Sequence, residues 1–308
     1  MKKTLIALAI NVAVAATLSL VAAEPASAAR KQGGYWMLTS DGQAYGFGGA
    51  AELGSTPFGV PGEHITPTRS GNGYWILSPT GTVYGFGDAA VLASGPAPVT
   101  ADERYTTMAA TPSGGGYWLF TNKGRVRPFG DATFFGDMTG VRLNGPVLDA
   151  VATPTGHGYY MVGSDGGVFS FGDAAFHGST GNLKLNKPVM SLAPDADGAG
   201  YWLVASDGGI FAFNAPFYGS TGNISLNKPI SGIVASPTGG GYLMVAQDGG
   251  VFSFGDVPFY GSLGSSPPRS PVVSVAAIGD PVPPAPQTFS GTGKTVTAAF
   301  PIVGGLTK

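Results

Sequence analysis

The chain has 308 residues, among them 51 Gly and 25 Pro, so about a quarter of it consists of residues that interrupt helices. Charged residues make up 11% with a net charge of −2, which leaves no basic surface to follow a phosphate backbone and excludes nucleic acid as the natural partner. Aromatics at 11% argue against disorder, and the absence of Cys excludes disulfides, thiolate metal sites and a cysteine nucleophile.

Residues 1–28 read as an export leader: Lys2 and Lys3 are the positive start, Leu5 to Ala23 the apolar stretch, and Ala26-Ser27-Ala28 a small-x-small cleavage site. The mature chain is expected to begin at Ala29. No second apolar stretch of spanning length follows, so the product is expected to be secreted, extracellular or held at the cell surface without stable membrane insertion.

From residue 33 a unit of 39 to 43 residues is written six times, marked by Tyr35, Tyr74, Tyr117, Tyr159, Tyr201 and Tyr242. Seven residues after each tyrosine stands a glycine (Gly42, Gly81, Gly124, Gly166, Gly208, Gly249), and twelve after it a phenylalanine (Phe47, Phe86, Phe129, Phe171, Phe213, Phe254). Each unit is expected to hold four short strands. In the fifth copy these are Pro188 to Pro194, Tyr201 to Ser206, Ile210 to Phe213, and a weak fourth at Phe217-Tyr218-Gly219-Ser220. Asp207-Gly208 is expected to close a two-residue hairpin with positive φ at both positions. Glu52 and Val91 stand where later copies carry Phe134, Phe176 and Phe259, which weakens the fourth strands of copies one and two.

On the second strand Tyr201, Leu203 and Ala205 face one way and Trp202, Val204 and Ser206 the other, so both faces are largely apolar and both need cover. Six such sheets shield one another when set radially in a ring, which predicts an all-β, six-bladed β-propeller over 29–280. After the sixth copy, Pro271 to Ala277 restates a first strand with no second strand behind it, whereas the first copy opens directly at Gly34-Tyr35-Trp36. Pairing the C-terminal strand with the N-terminal blade supplies what each end lacks and closes the ring.

The blocks Gly200-Tyr201-Trp202-Leu203-Val204-Ala205-Ser206-Asp207-Gly208-Gly209 and Val251-Phe252-Ser253-Phe254-Gly255-Asp256, followed by Phe259-Tyr260-Gly261-Ser262, resemble the repeat of secreted bacterial β-propeller proteins. The resemblance covers about residues 33–280 and implies an extracellular or cell-wall setting. It assigns no activity, because propellers host lectins, hydrolases and scaffolds alike.

Residues 281–288 (Pro281-Val282-Pro283-Pro284-Ala285-Pro286 and on) read as a semi-rigid linker, and 289–308 as a truncated or flexible β tail. Gly293-Lys294-Thr295 does not make a phosphate loop, since Thr288 occupies the place of its first glycine.

Chemistry is thinly distributed. His64, His157 and His177 fall in different copies at no ligand spacing, so no metal site and no cofactor are expected. Asp88, Asp131, Asp173 and Asp256 recur after the third strand, and each is expected to cap its own turn by accepting a backbone N–H. Trp36, Trp75, Trp118 and Trp202 read as core. Ser179 beside His177 lacks a nucleophile elbow, and its repeat equivalents Ser55, Ser220 and Ser262 have no histidine.

The variable positions Phe135, His177, Tyr218 and Tyr260 lie beside Gly-Ser turns, where tolerance of different side chains points to exposure, and they are the candidate ligand-binding residues. The reading is a non-catalytic binding or interaction module, a monomer, for cell-wall carbohydrate or an extracellular protein. An esterase or glycosidase working in the propeller channel and a structural spacer are the alternatives.

Overall fold

The computed structural model describes residues 33–278, 289–291 and 294–296. The expected leader, the linker and most of the tail lie outside the described residues.

Twenty strands follow one another with no helix among the described residues. The series opens with β1 (Gly34–Thr39) and β2 (Ala44–Gly48). Five triplets follow: β3 (His64–Pro67), β4 (Gly73–Leu77) and β5 (Val83–Gly87); β6 (Tyr105–Ala110), β7 (Gly116–Thr121) and β8 (Val126–Gly130); β9 (Val147–Ala152), β10 (Gly158–Gly163) and β11 (Val168–Gly172); β12 (Val189–Pro194), β13 (Tyr201–Ala205) and β14 (Ile210–Phe213); β15 (Ile230–Ala235), β16 (Gly241–Ala246) and β17 (Val251–Gly255). Then come β18 (Val272–Ile278), β19 (Phe289–Gly291) and β20 (Lys294–Val296), the last two an antiparallel pair.

Each triplet is one antiparallel sheet ordered first, second, third strand, and β18, β1 and β2 make the sixth. In that composite sheet Tyr35 stands opposite Ala277, Trp36 opposite Ala276 and Met37 opposite Val275. The first strands neighbour one another in a cycle, β3 to β6, β9, β12, β15, β18 and back to β3. This is a closed six-bladed β-propeller, with β18 and β1 joined inside one blade as the sequence predicts.

The two-faced second strands account for the ring. β1 is buried at every residue. Trp36 and Leu38 pack with Tyr74 and Ile76 of the following blade, while Tyr35 and Met37 pack with Leu243 and Val245 of the preceding one. Covering a side chain such as Leu38 contributes roughly 1.5–3 kcal/mol, so each blade is stabilised from both sides.

Two local expectations are corrected. The hairpin at Asp207-Gly208 is not a two-residue turn with positive φ at both positions. Asn214 is the one described non-glycine residue with positive φ, whereas Gly208 has φ 80°. The Gly208 N–H donates to the Ala205 carbonyl and the Ala205 N–H to the Gly209 carbonyl, the pattern of a turn followed by a glycine bulge. Asp207 assists by accepting the Gly209 N–H at 3.1 Å.

The fourth strand also fails to form: every described blade has three. The segment after the third strand becomes a strap bent at a glycine, Gly54, Gly136, Gly178, Gly219 or Gly261, with φ between 128° and 142°. A Cβ at Gly219 would lie 2.4 Å from Phe254 Cδ1 of the next blade, so the bend fits the strap around its neighbour. Copy one keeps the glycine bend at Gly54 despite Glu52, whereas copy two, with Val91, has Ala93 at that place and no glycine of positive φ in its strap.

Candidate functional site

The column of tyrosines holds the ring together. Each phenolic hydroxyl donates to a strap carbonyl of the preceding blade at 2.5–2.6 Å: Tyr35 to Gly261, Tyr74 to Gly54, Tyr117 to Ala93, Tyr159 to Gly136, Tyr201 to Gly178 and Tyr242 to Gly219. Each also accepts a strap N–H, as Tyr201 does from His177 at 3.1 Å. Burial pushes the hydroxyls of Tyr35, Tyr74, Tyr201 and Tyr242 above their ordinary range and that of Tyr159 up to about 12, against the N–H donors that favour the phenolate.

Phe135, His177, Tyr218 and Tyr260 belong to these joints. All four are half-buried. Their rings lie 5.8, 5.7, 5.7 and 6.0 Å from Tyr159, Tyr201, Tyr242 and Tyr35 respectively, one in each of four successive interfaces, so the fold does not gather them. The exposure inferred from their variability belongs to the residue before. Phe134, Phe176, Phe217 and Phe259 are 52%, 59%, 61% and 62% exposed, and Val91 holds the same place in an earlier blade. These side chains lie on the straps beyond the third strands, at the outer rim.

The tryptophans are core, as expected: Trp36, Trp75, Trp118 and Trp202 are buried, and each indole N–H donates to a carbonyl of its own strap. The aspartates after the third strands act differently from the expectation of self-capping. Asp88 accepts from Thr68 (2.8 Å) and Ser70, Asp131 from Thr111 (2.9 Å) and Ser113, and Asp173 from Thr153 (2.8 Å) and Thr155. Each thus ties the end of its third strand to the hairpin joining the first two strands. Among the described residues no group of three His, Asp or Glu is placed to hold a metal ion.

The inner strands enclose a channel of about 600 Å³. Five of the six carry a β-bulge at one level, where Thr106, Leu148, Met190, Ser231 and Val273 each have no opposing partner. The bulge takes these residues out of the ladder, and all five line the lumen. In the sixth, Glu63 precedes β3 at that level and reaches Arg104 at 3.4 Å. Burial raises the Glu63 carboxyl above its usual range, and the Arg104 charge opposes this.

The next level contains His64, Thr107, Asp149, Ser191, Gly232 and Ser274, each ten residues before its tyrosine except Ser274, whose second strand is β1. Asp149 Oδ1 accepts from Thr107 Oγ1 (3.1 Å) and the Ala150 N–H (2.8 Å), and Oδ2 from Ser191 Oγ (2.6 Å) and the Leu192 N–H (3.1 Å). His64 Nε2 stands 3.8 Å from Asp149 Oδ1. Burial lowers the His64 pKa below 6.5, with the Asp149 charge opposing, so the imidazole is neutral at pH 7. Ser191 donates to the carboxylate and not to the imidazole, an arrangement that orders three blades instead of activating a nucleophile. His157 is exposed beside β10 and His177 sits in a strap, so the channel histidine is His64.

Fold and channel together define a six-bladed β-propeller with a polar girdle at its axis and aromatic side chains around its rim. No family model matches the sequence, and no curated protein matches it. Among solved structures the chain is similar to the β-propeller domain of Myceliophteria thermophila Cps50 (Swd1), at 13% identity and TM-score 0.45 over 65% of this chain and 70% of that one. It is also similar to a structural-genomics protein of unknown function from Bacteroides thetaiotaomicron VPI-5482, at 11% identity and TM-score 0.46 over 69% and 67%. The architecture of the present chain rests on its own strand pairing.

Proposed function

We propose that the protein is an exported, non-catalytic binding module that holds cell-wall polysaccharide through aromatic side chains on its outer rim. The observation that carries this reading is the recurrence of Phe134, Phe176, Phe217 and Phe259, each more than half exposed, at one position of four consecutive blades. An exposed apolar side chain costs stability wherever burial was available, and its repetition at one place calls for a ligand. Flat rings suit the apolar face of a pyranose, and a repeating surface suits a repeating polymer, because weak contacts at several blades multiply in avidity. The half-buried Phe135, His177, Tyr218 and Tyr260 adjoin these rings and complete each contact patch. Residues 1–28 supply the export signal.

The test is co-sedimentation of the purified chain with isolated cell walls, together with binding to a polysaccharide panel. Retention that falls at least tenfold when Phe134, Phe176, Phe217 and Phe259 are all replaced by Ser supports the reading. Retention unchanged in the folded quadruple variant, or no retention on walls and glycans at high protein concentration, overturns it. Capture of a protein partner in place of glycan also counts against it.

A further inference from the structure

The channel girdle has a gap in its hydrogen bonding. Thr66 Oγ1 spends its single proton on the Met108 carbonyl at 2.9 Å, so its oxygen receives the Nδ1–H of His64 at 3.2 Å. Nε2 of the neutral ring is then a lone pair, and it faces a second acceptor, Asp149 Oδ1, at 3.8 Å with no protein donor between them. One level away Thr106, 4% exposed, lines the same lumen, and its buried Oγ1 has no hydrogen-bond partner. A lone pair on a part-exposed imidazole and a buried hydroxyl left open, both on residues that line the channel, call for a partner from outside the chain.

Charge narrows the choice. At the mouth Glu63 is matched by Arg104, whereas Asp149 is surrounded by hydroxyls, amides and the imidazole, with no Lys or Arg among the described residues paired with it. A buried carboxylate without a cation is costly. Around this girdle the bulged Leu148, Met190 and Val273 line the lumen with apolar surface. The volume of about 600 Å³ is within the range of small-molecule sites.

The geometry points to a channel site for a primary ammonium on an apolar body, its N–H groups bridging His64 Nε2 and Asp149 Oδ1 from the lumen side and its chain lying against Leu148, Met190 and Val273. A carboxylate ligand is repelled there. An alcohol supplies a donor but no charge, and it binds more weakly. The inference is independent of the rim: it stands or falls whether or not the rim binds glycan.

Isothermal titration of the full chain with hexylammonium, hexanol and hexanoate tests it. The expected result is saturable binding of one hexylammonium per chain, at least tenfold tighter than hexanol, with no binding of hexanoate. Asp149→Asn is expected to lower the affinity at least tenfold. Because Asp149 also orders Thr107 and Ser191, Met190→Trp provides a second variant that fills the lumen from a bulge without touching the carboxylate, and it too is expected to abolish binding while the melting temperature holds. Absence of hexylammonium binding to the native chain, equal affinity for hexanol, or full affinity retained in a folded Met190→Trp variant overturns the assignment.

Discussion

The hydroxyl of Tyr35 donates to the carbonyl of Gly261 at 2.6 Å across 226 residues of sequence, and the same hydroxyl accepts the Tyr260 N–H at 3.2 Å. This contact joins the last strap to the first copy of the repeat. It also repeats, with the same atoms, the latch at the five other blade interfaces.

Replacing Tyr35 by Phe keeps the ring and leaves a strap carbonyl and N–H without their partner. The expected cost is about 1–3 kcal/mol. Urea unfolding of the native and Tyr35→Phe chains measures it, and a change within error would show that water replaces the latch.

Gly59, in the segment between β2 and β3, and the strap glycine Gly219 separate two costs. Gly59 has φ 82° and open space around it, whereas Gly219 has φ 139° with Phe254 in the place a Cβ would take. Gly59→Ala is expected to cost about 1 kcal/mol from backbone strain alone. Gly219→Ala adds about 1–3 kcal/mol of overpacking. Equal melting-temperature losses in the two variants would place the whole effect in the backbone.

Ending the chain at Pro271 removes β18 and leaves the inner edge of β1 unpaired along Gly34 to Thr39. An open strand edge templates association. The truncated chain is expected to lose its cooperative unfolding transition and to elute in oligomers on size exclusion; a monomer with native thermal stability would contradict the closure.

Acid acts on the girdle through His64. Its folded pKa is lowered, first by burial and against the pull of Asp149, so the unfolded chain takes up a proton more readily. The stabilisation is therefore complete above the unfolded value of 6.5 and is lost as the pH falls below it, until the folded pKa is reached. His64→Gln is expected to flatten the stability profile as the pH falls below 6.5, read as the urea midpoint at each pH. A profile parallel to that of the native chain would remove His64 from the response.

The ring was legible because its causes are local and repeated. Tyr201 and Trp202 declare a strand buried on both sides, and the unmatched first strand at Val272 to Ala277 declares the seam. The latches were hidden, because a tyrosine column shows burial without showing that its hydroxyl reaches a carbonyl about 23 residues upstream in the preceding strap. The fourth strand was misread because Phe217 to Ser220 has strand-like residues, while its backbone partners are a tyrosine of the next blade.

The girdle was missed for the opposite reason. His64, Thr107, Asp149, Ser191 and Gly232 form a column as regular in spacing as the tyrosines, ten positions ahead of each, but different in every copy. Regularity of place with variety of residue was its only trace, and the same kind of trace led to Phe135, His177, Tyr218 and Tyr260, which proved to be wedged between blades.

The bulges at Thr106, Leu148, Met190, Ser231 and Val273 detach the pore lining from the pairing that builds the wall. A residue outside the ladder can be exchanged without shifting register, so the inner surface is a set of interchangeable keys on a fixed lock plate. Duplicated blades that drift only at these places would yield pores of new selectivity while the barrel of sheets around them stays the same.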